Sequence, residues 1–475
     1  MFVFHTISAF GGEKSNRDGD FSAIFDYSLI FHEQTIKFRL TKRPPGRILS
    51  GKRNGADMKN VNDYQGSTDN EQIEAAIRDR RDGVVLIPPR RSERDPKRTW
   101  WLLDRAVLLP ENTTVIIENC RIKLSDSCRD NFFRSANCGF GMAEPEPISN
   151  IHIRGVGSVV LEGADHPRAT GDGSKILACP CPKNFTGAKH PSFEDLHRHS
   201  YGTDAGKPGK LQRGDWRNIG ILFANADHVS IENLKIVEQH AWAISLEACK
   251  HITISHIEFS ARMTRNIDGA LQNNENQDGV NLRAGCRDVI ISDIRGTTGD
   301  DVIALTAIAS PRTRHTGGEL GFTEVMPNDF TRRDKDIRNV IIRNVLAHPA
   351  GGCKILRLLA LGGAEIRNVT VNGVVDTSPD DFHTRTSVEV GAAPGIAGQP
   401  DSPYGVQSEC SIFDVAFSDI VSNADRVFHI PGGLRNAVIA NVINRSPEGR
   451  GAVIKRPELV KEVKFFNIAA PGEAE

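Results

Sequence analysis

Apolar and polar residues alternate along much of the chain in short runs that end on Asn, Asp, Gly or His. A period of two belongs to a strand with one buried face, whereas a helix repeats near 3.6. One phrase, aliphatic–x–aliphatic–x–turn residue, recurs at Val115–Asn119, Ile151–Gly155, Val229–Asn233, Ile252–His256, Val289–Asp293, Val340–Asn344, Val369–Gly373, Val415–Asp419 and Ala437–Asn441. Its first residues are separated by 36, 78, 23, 37, 51, 29, 46 and 22 positions. The unit of 22 to 23 is too short for a strand–helix–strand crossover, which needs about 30 residues. It matches one coil of a parallel β-helix, in which each coil stacks on the next at about 4.8 Å. Alternation then turns Val229 and Ile231 inward and Ser230 and Glu232 outward. The fifth position holds residues that tolerate a left-handed backbone or bond to their own main chain, as a sharp corner requires. A β-sandwich also has regularly spaced strands, but it does not explain one phrase returning at coil length. The predicted class is therefore all-β: a parallel β-helix with long inserted loops.

From Met58 the text orders itself. Thr68-Asp69 predicts the cap of a short amphipathic helix with Ile73, Ala76 and Ile77 on one face, closing the N-terminal end of the solenoid. β-rich segments follow, punctuated by Pro88-Pro89 and Pro110. Residues 1–57 lack such order and end in a basic, Gly-rich stretch, so they are expected to form a poorly ordered or loosely attached extension to a parallel β-helix domain over 58–475. The alternative is an N-terminal strand packed on the body. Insertions are predicted at about 164–216, 261–275, 308–336 and 391–408. Loops leaving a solenoid often build its binding face.

Composition narrows the function. The 59 Lys and Arg against 60 Asp and Glu give a net charge of −1, which excludes a global basic footprint for nucleic acid. No apolar run approaches the roughly 20 residues of a membrane-spanning helix. The opening residues lack a basic segment followed by a full apolar core, so no secretory leader is expected and the cytoplasm is the default compartment. Most of the nine cysteines read as small buried hydrophobes; the pair Cys179 and Cys181 has no partner that completes a zinc pattern. No metal or other cofactor is expected.

One stretch departs from the bland phrase. Asp278 opens one predicted strand, and Asp300 and Asp301 open another 22 and 23 residues later, which is one coil. The three acids are expected to stack on one outward face of adjacent coils, within roughly 5 to 9 Å of one another. Cleaving a glycosidic bond needs a protonated acid for the leaving oxygen and an ionised carboxylate to activate water. Crowding raises the pKa of at least one acid and so supplies the first while another stays charged. A single Asp-Gly is accounted for by a corner; an adjacent pair one coil from a third acid is not.

The phrases Asn276-Gln-Asp278-Gly and Gly299-Asp-Asp-Val-Ile-Ala-Leu305 resemble the polygalacturonases, the family 28 glycoside hydrolases, whose marks are NTDG, GDD, GHG and RIK. The segment around His240 and Trp242 is similar to their N-S-P-x-W region, and the stretch from Asp63 through Pro89 to the start of the pectin-lyase-like right-handed β-helix superfamily. The resemblance covers roughly 58–445 and is strongest at its centre. It implies a metal-free, inverting hydrolase of acidic polysaccharide, with Asp300 or Asp278 activating water and Asp301 or its neighbour acting as the acid. It also implies substrate-binding roles near Asn276. An aromatic at Trp242 is placed to stack on a sugar, or to pack a corner, with His240 beside it.

The departures count equally. Aligning Ala350–Arg357 under Gly299–Thr306 puts Gly351 where the family has its GHG histidine, with His348 three residues earlier. No RIK is present; Arg385 falls near its place and Ser387 stands where the lysine belongs. Lys354 and Arg357 are alternative cations one coil beyond the acids. Because Arg and Lys in that family grip the uronate carboxylate, their displacement points to a distant member or sister family acting on another sugar. His315 and His383 are further candidates for substrate contact.

The leading expectation is a glycoside hydrolase that trims oligosaccharides or polysaccharides, uronate-containing ones among them, from a chain end. The large inserted loops favour such an exo-acting pocket over an open cleft. The alternatives are a polysaccharide lyase or a fructan-type transferase on the same solenoid, and a non-catalytic carbohydrate-binding or fibre protein. A lyase wants a basic residue or Tyr as base, often with calcium, and only 4 Tyr are present. A homo-oligomer is compatible with all of these readings; nucleic acid and membrane partners are not expected.

Overall fold

A computed structural model of the protein describes residues 24–31, 34–41, 58–80, 83–128, 130–166, 216–262, 264–267, 269–273, 276–309, 316–318, 323–331, 333–382, 384–391 and 411–473. The chain divides into two compact units, 1–56 and 57–475. In the first, the strands Ile24–Phe31 and Gln34–Thr41 pair antiparallel, with Ile24 opposite Thr41. Most of the predicted insertions at 164–216 and 391–408 lie outside the described residues, as do Cys179, Cys181, His315 and His383.

The second unit is a right-handed parallel β-helix, its stacked coils as the repeat predicted and its hand as the resemblance implied. Among the described residues its strands form one sheet of 15 and one of 10, and Thr264–Ile267 pairs antiparallel with Ala270–Asn273 as a separate hairpin. The strands of the larger sheet are long because most of them bend around a corner and continue, as Val289, Ile291 and Ile294 do within Arg287–Thr298. Register follows the repeated phrase. Ile151 lies opposite Val229, Val229 opposite Ile252, Ile252 opposite Val289, Val289 opposite Val340, Val340 opposite Val369, Val369 opposite Val415 and Val415 opposite Ala437. The first match is displaced: Val115 faces Ile153, not Ile151. The left-handed corner decides this pairing, because Asn119 (φ 46°) has its counterpart at Gly157 (φ 72°) and not at Gly155.

Inward residues of successive coils make continuous columns, such as Ile231–Ile254–Ile291–Ile342–Val371–Phe417–Ile439, every member fully buried. Removing each such side chain from water stabilises the fold by about 1.5–3 kcal/mol. The corners are held by polar ladders. His228 and Asn233, His251 and His256, Asp288 and Asp293, Asn339 and Asn344, and Asn436 and Asn441 all have φ between 48° and 59°. Their side chains bond from coil to coil: Asn339 Nδ2 donates to Asp288 Oδ1 (2.7 Å), and Asn344 Nδ2 to Asp293 Oδ1 (3.0 Å).

The N-terminal helix forms at Asp69–Arg78, where the Thr68 hydroxyl accepts the Glu71 N–H. Ile73, Ala76 and Ile77 are buried in the same core as the coils, against the strands Trp101–Leu103 and Val107–Leu109. Among the described residues no helix is long and apolar enough to cross a membrane.

Candidate active site

The acids lie in the turns that lead into the 10-stranded sheet. Val280 is opposite Ile303 and Ile303 opposite Leu356, so the residues two before each, Asp278, Asp301 and Lys354, stand in one row on consecutive coils. Main-chain bonds clamp the row. Ala243 N–H donates to Asp278 O (2.9 Å), Gly279 N–H to Asp301 O (2.9 Å) and Val302 N–H to Lys354 O (2.9 Å). Beneath the turns two buried glutamines interlock, Gln277 Nε2 donating to Gln239 O (2.6 Å) and Gln239 Nε2 to Asp278 O (3.2 Å). Both glycines of the acid phrases are demanded by this closeness. A Cβ at Gly279 would sit 2.4 Å from Val302 O, and one at Gly299 would sit 2.6 Å from Gln277 Oε1.

Asp278 is 6% exposed and Asp301 3%, while Asp300 is half-buried. Burial, followed by the charges of Asp300 and Asp301, pushes the Asp278 carboxyl well above its ordinary range; the Asn281 amide, 3.0 Å away, opposes this. Burial and the Asp300 charge raise Asp301 to about 6, against the pull of Lys354 and Arg357. Asp301 Oδ1 accepts the Lys354 N–H (2.9 Å), and Arg357 lies 3.7 Å from Asp301 Oδ2. Crowded carboxylates cannot all ionise together, so a proton stays on the cluster near neutral pH.

A fourth carboxylate joins the site. Strand register sets Arg357 opposite Glu389 and Glu389 opposite His429. Glu389 Oε2 is 2.9 Å from His429 Nδ1, and its Oε1 lies 3.8 Å from Lys354 Nζ and 3.9 Å from Arg357. Although burial alone would raise Glu389, Lys354, Arg357 and His429 together hold its carboxyl below the ordinary range.

The other sequence-derived candidates distribute as follows. Lys354 and Arg357 are beside the acids. Trp242 occupies the coil before Asp278, partly exposed, with the Arg283 guanidinium 4.8 Å from its ring centroid. His240 is buried and its Nε2 accepts the Ala164 N–H (3.0 Å), a bond that ties neighbouring coils. Asn276 takes the left-handed corner (φ 57°) two residues before Asp278. His348 bonds Thr297 (3.5 Å) and Thr377 (2.9 Å) in the flanking coils. Arg385 is exposed, whereas Ser387 is fully buried on Ser422 (2.7 Å).

One alignment is corrected. The separation between coils is 51 residues up to Thr298 opposite Pro349, but 53 from Ile303 opposite Leu356. Two extra residues are taken up in the turn after Pro349, and Cys353, not Gly351, arrives beside Asp300. The ligand atoms of Asp300, Asp301 and Cys353 lie within 4.8 Å of one another, a spacing that suits a metal ion. Burial and the neighbouring acids push the Cys353 thiol well above its ordinary range. A second such cluster, Asp227 with His228 (3.0 Å) and His251 (2.6 Å), belongs to the corner ladder.

The geometry of the acid row coincides with a match in sequence. Residues 203–316 match the model of glycosyl hydrolases family 28. The resemblance read from the two acid phrases is borne out over the stretch that carries them, and it supports a glycoside hydrolase. No curated protein matches the chain. Among solved structures, a polygalacturonase from Erwinia carotovora ssp. carotovora aligns at 13% identity over 88% of this chain and 95% of its own, TM-score 0.49. An endo-xylogalacturonan hydrolase from Aspergillus tubingensis aligns at 11% identity over 87% and 92%, TM-score 0.49. The Streptococcus pneumoniae surface adhesin PfbA aligns at 11% over 86% and 97%, TM-score 0.38. With TM-scores below 0.5, these three likenesses carry no argument about activity.

Sequence reasoning passed over Asn281, Cys353, Glu389 and His429. No sequence signal singled out Glu389 or His429: each sits on the outward row of its strand, and only strand register places them one and two coils beyond Arg357.

Proposed function

We propose that this protein is a glycoside hydrolase in which Asp278, Asp300 and Asp301 divide acid and base work on one glycosidic bond. The observation that supports this best is the burial of Asp278 and Asp301 on adjacent coils beside half-buried Asp300, which retains a proton on the cluster while leaving a charged member. The retained proton goes to the leaving oxygen, and an ionised carboxylate takes one from the attacking water. Trp242 offers a ring face, and Lys354 and Arg357 offer donors, to the bound sugar. Inversion is carried by the family resemblance. Exo-action is carried by the long insertions that follow the strands Ile303–Ile308 and Val388–Val390 in sequence.

The test is product analysis on paired neutral and uronic oligosaccharides. New reducing ends without the ultraviolet absorbance of an unsaturated uronate, lost about a hundredfold or more in Asp300→Asn while ligand still binds, is the expected result. Unsaturated products would overturn hydrolysis in favour of elimination. Stereochemistry is read from the anomer that appears first by proton NMR, and exo-action from release of single units at the earliest times.

A further inference from the structure

The cations of the site already face a protein carboxylate. Lys354 Nζ and an Arg357 nitrogen converge on the same oxygen of Glu389, at 3.8 and 3.9 Å, and a second Arg357 nitrogen lies 3.7 Å from Asp301. His429 holds the other Glu389 oxygen at 2.9 Å. Glu389 is only 12% exposed, and Lys354 and Arg357 each 21%, so these charges meet where water screens them weakly. A carboxylate brought in on a sugar would seek the position that Glu389 fills. It would also meet Glu389, Asp300 and the Asp278–Asp301 pair at short range with two fixed cations to share among them. A hydroxyl meets no such barrier. It donates to the carboxylates and accepts from the cations.

We propose that Glu389 is a specificity-determining residue and that the sugar bound at the acids is uncharged. This rests on the hydrolase reading above and narrows it to neutral glycosides. Glu389 acts by occupying and neutralising Lys354 and Arg357, so that the pair orients hydroxyls and does not capture a uronate. Negative selection of this kind rejects a competitor by repulsion and leaves contacts to the preferred ligand intact.

The experiment compares the full chain and its Glu389→Gln variant on matched oligosaccharides that differ only in carboxylate against hydroxymethyl, in gluco, galacto and manno series. The expected result is turnover by the wild type on neutral members with little on their uronic counterparts, and at least a tenfold rise in kcat/KM on uronic members in Glu389→Gln. Wild-type turnover of a uronic member equal to or above its neutral twin would overturn the inference and leave the hydrolase standing, whatever the variant does. A fall in uronic turnover in a folded Glu389→Gln, checked by thermal unfolding, would overturn it too. No wild-type turnover in any series would overturn the hydrolase reading, and this inference with it.

Discussion

At the scale of residues, the acids are placed where they cost stability. Asp301 titrates at about 6 in the fold against 3.8 for the free group, because burial and Asp300 disfavour its charge. Between those values the folded state holds more protons than the unfolded chain. The contribution of this group is therefore most favourable below pH 3.8 and is lost as pH rises through 6. Asp301→Asn abolishes the charge and keeps an acceptor for the Lys354 N–H. Its thermal midpoint is expected to exceed that of the wild type at pH 7 by a few degrees and to converge with it near pH 4, with turnover about a hundredfold lower or more. Equal midpoints at both pH values would show that Asp301 ionises in the ordinary range. The acid trio was legible because spacing by one coil is a statement about neighbours. Glu389 was not, since a single Glu on an outward row of Val388–Val390 looks like any solvated strand residue until its register against Arg357 is known.

At the scale of elements, the corner ladders carry the regularity. Asn344→Ala removes the bond to Asp293 and leaves an unsuited residue at φ 57°, so it is expected to cost about 1–2 kcal/mol in urea unfolding, whereas Asn344→Gly, free of backbone strain, costs less. Indistinguishable alanine and glycine variants would show that the corner does not need its left-handed backbone. The repeated phrase located one such ladder, at Asn233, His256, Asp293 and Asn344, because its turn residue is the corner. It overlooked the second, five residues earlier at His228, His251, Asp288 and Asn339, which precedes the apolar run and so was not counted in it. The register after Pro349 slipped because the turn there absorbs two extra residues without changing the strand that follows, and letters alone do not say on which side of the turn they fall.

At the scale of the whole molecule, an open solenoid end is an edge of unpaired strands, and the N-terminal helix Asp69–Arg78 packs there. Its anchor is Asp69, 3% exposed, which Arg90 meets at 3.0 Å, Arg98 at 2.6 Å and the Leu102 N–H at 2.9 Å. Burial opposes its charge, yet these bonds hold its pKa below the ordinary range, so its stabilisation is present above 3.8 and lost as pH falls through the lower folded value. Asp69→Ala leaves the buried Arg90 guanidinium uncompensated and is expected to cost about 3–5 kcal/mol in chemical denaturation, with earlier proteolysis near the helix. A loss within experimental error would mean that the helix is anchored by Ile73, Ala76 and Ile77 alone. By itself the sequence determined the β-helix, its coil length and the acids that share a coil spacing, since period and recurrence are local properties written in order along the chain. Only the tertiary structure decided which cation faces which carboxylate. That depends on how many residues each turn absorbs, and stacked coils convert a two-residue difference there into a different neighbour across the sheet.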